Sequence, residues 1–171
     1  MFGTRFGRCV TCSLAFFFLL MLSSARANDA WHTSYGDAME MAENTGRPVL
    51  TIFTGSDWCP HCRTLEDNVL ETDTFLDWAE GNVVLLMIDL PQHGISRAVR
   101  SERSQVCIKY GVRTFPSALL IDSEGEQITV KKGYRGQSAA TWVSEMAIHV
   151  PRQFLKQTTT TADATNAGLL K

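Results

Sequence analysis

Apolar side chains first take a helical rhythm at Tyr35, Ala38, Met39 and Ala42, spaced i, i+3, i+4 and i+7. Ser34 stands where an N-cap belongs and Asn44-Thr45-Gly46 stops the run, so the pattern predicts one helix there. The rhythm then changes. Val49 to Thr54 (VLTIFT) is a β-branched block suited to a buried strand. Cys62, Leu65 and Val69 share one face of a following helix, whose first turn would hold Cys59 and Pro60 under a cap from Ser56 or Asp57. A shorter helix is expected around Phe75 to Glu80, closed by Gly81. VVLLMIDL (83–90) is apolar on both alternations, which marks a strand covered on both faces. Pro91 to Gly94 breaks the chain, and a helix ending near Tyr110-Gly111 follows. SALLID (117–122) and EQITVK (126–131) flank Ser123-Glu124-Gly125, a hairpin signal. Ala139, Trp142, Val143, Met146 and Ala147 return to helical spacing until Pro151.

The order is helix, strand, helix, strand, helix, strand hairpin, helix. A βαβ unit joined to a ββα unit implies an α/β fold, with a central mixed sheet of about four strands flanked by helices on both faces. The two ends of the chain read differently. Arg5 and Arg8 precede an unbroken apolar run from Leu14 to Leu22, and Ala25-Arg26-Ala27 has the form of a cleavage site. The run is far shorter than the roughly 20 apolar residues of a spanning helix. Residues 1–27 are therefore expected to be a signal peptide, leaving an exported chain from Asn28 with no membrane span. Residues 28–150 would form one domain, and 151–171, polar almost to its end, a disordered tail.

Composition changes this picture in two places. The whole chain has 16 Lys and Arg against 18 Asp and Glu; losing Arg5, Arg8 and Arg26 leaves 13 against 18, a balance of −5. An acidic exported domain is a poor nucleic-acid binder. The local basic stretch of Arg97, Arg100, Arg103, Lys109 and Arg113 reads as a solvated helix face. Cys9 and Cys12 leave with the leader, so the mature chain keeps Cys59, Cys62 and Cys107. Three cysteines do not make a disulfide-dense scaffold.

The chemistry concentrates in WCPHC, Trp58 to Cys62. A c-type haem site needs His directly after the second cysteine, and Arg63 stands there. A zinc site needs four ligands, usually as two paired sets; only Cys107, His61, His93, His32 and His149 remain, with no second pair. No metal or other cofactor is expected. A disulfide closing so short a loop constrains the unfolded chain little, which argues against a staple. A cysteine at a helix N-terminus, by contrast, faces free backbone N–H groups and the positive end of the helix dipole, and both favour the reactive thiolate. A second cysteine one turn on can attack a mixed disulfide and release the substrate. The pair reads as reacting thiols.

WCPHC between strand and helix, and VRTFPS (112–117) before a hairpin, resemble the thioredoxin superfamily over about residues 30 to 150. FTGSDWCPHC is most similar to exported bacterial thioredoxin-like proteins, and Pro60-His61 is the dipeptide of DsbA-type oxidases. The resemblance implies a redox-active Cys59–Cys62 disulfide, with Cys59 as nucleophile and Cys62 as resolving thiol. It also implies a cis-proline at Pro116 and a substrate-facing Phe115. Trp58 would form an exposed rim, and His61 would touch the sulfur. Two departures stand out. Phe53 occupies the place of the family's buried acid, leaving proton relay to Asp57 or water. The segment from Gln92 to Tyr110 is also too short for DsbA's helical insertion. Cys107 reads as a buried structural thiol.

The expected function is a thiol–disulfide oxidoreductase acting on cysteine-containing exported proteins, more oxidising than thioredoxin and recycled by a membrane redox partner. The expected location is the periplasm, or the ER lumen or outside the cell in a eukaryote. A disulfide reductase or isomerase is the alternative within that class. A binding module or chaperone on the same scaffold is the alternative outside it, and two intact thiols argue against that.

Overall fold

The computed structural model describes residues 31–152; the leader over 1–27 and the tail from Gln157 lie outside the described residues. The elements are β1 (Trp31–His32), α1 (Tyr35–Thr45), β2 (Val49–Thr54) and α2 (Pro60–Leu65), which runs into a π-helical turn (Glu66–Leu70). Then come α3 (Asp73–Ala79), β3 (Val84–Asp89), α4 (Arg97–Lys109), β4 (Ser117–Ile121), β5 (Gln127–Lys132) and α5 (Ala139–Ala147). The strands form one mixed sheet in the order β1-β3-β2-β4-β5. β1 and β2 run parallel to β3, and β4 is antiparallel to both β2 and β5.

Period-two alternation divides the core cleanly. Leu50, Ile52, Leu85, Ala118 and Leu120 face one side, where Leu65, Val69, Phe75, Trp142 and Met146 cover them from α2, the π turn, α3 and α5. Val49, Phe53, Val84, Leu86, Ile88, Leu119 and Ile121 face the other, under Ala38 and Ala42 of α1 and Val106 and Cys107 of α4. A strand buried on both faces is predominantly apolar on both alternations, which is why β2 and β3 read as near-continuous apolar runs, Thr51, Thr54 and Asp89 apart.

Helix ends follow local chemistry. The Ser34 hydroxyl accepts from the Asp37 N–H, and Gly46 closes α1 at φ 69°, a left-handed conformation that glycine adopts without a Cβ clash. Thr72, Ser96 and Ser138 cap α3, α4 and α5 in the same way as Ser34.

Three expectations need correction. The sheet has five strands rather than about four, because Trp31 and His32 pair with Leu85 and Leu86 at the open edge of β3. α3 begins at Asp73, two residues before the apolar pattern starts, since Thr72 supplies the cap. α2 is capped by Cys59 itself, not by Ser56 or Asp57. The π turn is also new: the Glu71 N–H reaches back to the Glu66 carbonyl at 3.0 Å. The extra residue in that turn lets the adjacent Val69 and Leu70 both turn inward, where both are buried.

Candidate redox site

The site sits at one end of the two central strands. Phe53 of β2 pairs with Ser117 of β4, so the chain leaving β2 towards Cys59 lies beside the chain entering β4 from Pro116. The Phe115–Pro116 bond is cis, and Pro116 is buried.

A tight turn carries the chain from β2 to the first cysteine. The Gly55 carbonyl accepts the N–H groups of Trp58 at 3.2 Å and Cys59 at 2.9 Å. Cys59 then takes an extended conformation, and its Sγ accepts the Cys62 N–H at 3.2 Å. A sulfur thus does what a serine or aspartate oxygen does at most helix starts: it satisfies a free N–H of the first turn. Pro60 at N1 needs no acceptor for a missing donor. Cys59 and Cys62 form a disulfide with their Cα atoms 5.3 Å apart.

Both cysteines are buried, Cys62 slightly more than Cys59, at 2% against 4% exposed. Their difference lies in the hydrogen bonding. Cys59 Sγ receives a helix N–H, whereas Cys62 lies within α2 on the buried face beside Leu65. His61 is exposed, and among the described residues it makes no hydrogen bond to either sulfur. Pro60 is exposed as well. Trp58 is 40% exposed, and its ring meets the half-buried Phe115 edge-on at 5.5 Å between centroids.

The segment from Asp89 to His93 belongs to the site and had no signal in the sequence. The Asp89 carboxylate accepts from the N–H of Ser56 at 2.9 Å and from its hydroxyl at 2.7 Å. The Asp57 carboxylate accepts the N–H groups of Gln92 at 2.8 Å and His93 at 3.1 Å. The Gln92 N–H in particular, with those of His93, holds the Asp57 carboxyl below the usual carboxylate range despite some desolvation. Asp57 is thereby engaged with this loop rather than with Cys62. The Trp58 indole N–H donates to the Leu90 carbonyl at 2.9 Å. Arg100 and Arg103 donate to the carbonyls of Gln92 and Asp89 at 3.1 and 2.7 Å, so part of the basic stretch braces this loop instead of only facing solvent. Every residue between Gly55 and Cys59 is tied to it.

Phe53 is wholly buried and packs on the α1–α4 side of the sheet. Cys107 lies in the same cluster, and burial pushes its thiol above the usual range. Among the described residues, no group of three or more His, Cys, Asp or Glu side chains is placed to hold a metal ion. No helix among them is long and apolar enough to cross a membrane.

Comparison with known proteins agrees with this geometry. Residues 35–146 match the model of the thioredoxin-like domain. The chain is 31% identical over 123 residues to the disulfide bond reductase DsbH of Chlamydia pneumoniae, covering 71% of this chain and 73% of that protein. It is 24% identical over 121 residues to the thioredoxin-related protein DsbJ of the same organism, covering 70% of this chain but 34% of DsbJ. A solved structure of a DsbH oxidoreductase superposes with a TM-score of 0.64 at 28% identity, over 75% of this chain and 91% of that one. With its Cys59–Cys62 disulfide at the start of α2, the chain belongs to the thioredoxin-like family and is a thiol–disulfide oxidoreductase of that fold.

Proposed function

We propose that the protein exchanges disulfides with cysteine pairs of exported proteins, with Cys59 as the sulfur that meets the substrate and Cys62 as the resolving thiol. The observation carrying this assignment is the N–H of Cys62 donated to Cys59 Sγ at the start of α2. That donor, the helix dipole and the other free N–H groups all stabilise negative charge on Cys59. In the oxidising direction a substrate thiolate attacks Cys59 Sγ, the Sγ–Sγ bond breaks, and Cys62 leaves as a thiolate that takes up a proton. A second substrate thiolate then attacks the substrate sulfur of the mixed disulfide and releases Cys59. Two electrons pass from substrate to protein, and a membrane redox partner accepts them to restore the disulfide. Reduction is the same sequence reversed.

The couple is more oxidising than thioredoxin in this reading. Whatever stabilises the Cys59 thiolate stabilises only the dithiol form, and Pro60-His61 adds an imidazole that pairs with a thiolate better than with a disulfide sulfur. The exposed position of His61 leaves it free to do so on reduction. The reductase reading has its own support, namely the 31% identity to a protein named a disulfide bond reductase. Equilibrating the pair with glutathione decides between them. Thioredoxin lies near about −270 mV and DsbA near about −120 mV. A value clearly above the former is expected; one at or below it leaves the reductase. Export through residues 1–27 belongs to the same proposal, and a mature chain that does not start at Asn28 would count against it.

A further inference from the structure

Gly55 is not one of the glycines with positive φ, so its backbone is open to any residue. What it lacks is room. A Cβ built on Gly55 would overlap the Cε2, Cζ2 and Nε1 atoms of the Trp58 indole. The turn explains why: Gly55 accepts the Trp58 N–H through its carbonyl, and the chain folds the indole back over the glycine. Two further contacts hold the ring there. Its N–H bonds the Leu90 carbonyl at 2.9 Å, and Phe115 meets it edge-on, 69° between planes. The Leu90 segment is itself fastened by Asp57 to Gln92 and His93. A side chain 40% exposed, yet held on three sides, is a fixed wall and not a flap.

We propose that Gly55 is a specificity-determining position: by having no side chain it seats Trp58 as a rigid apolar wall beside Cys59, and that wall selects cysteine-bearing peptide segments. This rests on the exchange reading above. The step itself is unchanged, two electrons passing from a peptide dithiol to the Cys59–Cys62 disulfide. Gly55 acts only through Trp58. Substituting alanine displaces the indole, because the overlapping atoms belong to a partly exposed side chain that can swing outward, not to the backbone.

The test is single-turnover oxidation of a two-cysteine peptide by the oxidised protein, followed against peptide concentration. Gly55→Ala should raise the half-saturating concentration about fivefold, on the scale of a lost aromatic contact, with a smaller change in limiting rate. In a Trp58→Ala background the same substitution should change neither, since a coupled pair is not additive. Tryptophan emission should shift to the red in Gly55→Ala, and the shift should vanish when Trp58 is also replaced by phenylalanine. An unchanged half-saturation in Gly55→Ala, or an equal effect without Trp58, overturns the proposal. Should Gly55→Ala not fold, Trp58→Phe, which removes both the bond to Leu90 and the part of the indole that lies over Gly55, should weaken saturation in the same sense; no weakening overturns it. No oxidation by the wild type overturns the exchange reading and the selecting role with it, while the emission shift still reports the seat.

Discussion

Cys59 caps α2 through its sulfur, the same sulfur that meets the substrate in the proposed exchange. A capping thiolate accepts the Cys62 N–H more strongly than a disulfide sulfur does, so reduction strengthens the start of the helix. Among the described residues no hydrogen bond is donated to Cys62 Sγ, and its burial disfavours a thiolate there. Cys62→Ser should therefore accumulate mixed disulfides with substrates through Cys59, visible as mass-shifted species without reductant. If Cys59→Ser traps them instead, the roles are reversed. Cys107 should contribute nothing to this trapping, because it lies buried in the cluster on the α1–α4 face.

At the scale of elements, one side chain joins three of them. Phe75 of α3 is fully buried. Its ring stacks on Trp31 of β1 at 6.0 Å and meets Trp142 of α5 edge-on at 5.8 Å, with Trp78 of its own helix at 5.9 Å. Truncating a buried phenylalanine typically costs about 3–5 kcal/mol, from lost transfer free energy and an unfilled cavity. Phe75→Ala should lower stability by that order in urea denaturation, and it should loosen β1 first. That strand is two residues long and borrows its hold from the ring above it. A loss under about 1 kcal/mol would mean that Trp31 and Trp142 close over the gap. None of these ring contacts involves a residue of 55–62. The variant should therefore retain the redox potential of the pair while losing stability.

For the whole molecule, potential and stability are two readings of one cycle. If folding makes the pair more oxidising than it is in the unfolded chain, folding must favour the dithiol by the same free energy. About 30 mV corresponds to about 1.4 kcal/mol for a two-electron couple. The short loop between the cysteines gives the disulfide little entropic advantage in return. The reduced protein should then melt at a higher temperature than the oxidised one, with a difference that grows with the measured potential. An oxidised form that melts higher would place the pair on the reducing side and agree with the reductase reading.

Much of this could be read without coordinates. Val49 to Thr54 and Val83 to Leu90 are almost wholly apolar, Thr51, Thr54 and Asp89 apart, because each strand has a helical layer on both faces. The Cys59–Cys62 pair was legible for a similar reason: its spacing and its place between a strand and a helical face are local properties. Tertiary structure decided the rest. Trp31-His32 is too short to carry a period and is a strand only because β3 offers an unpaired edge. Ser56 and Asp57 have the side chains of helix caps, so local propensity placed the start of α2 on them. The fold instead brings Asp89, Gln92 and His93 against them from 33 to 36 residues away, and their hydrogen bonds go there. With its better-suited neighbours engaged, the helix is left to a sulfur for its cap, and the sulfur that caps it is the one proposed to react.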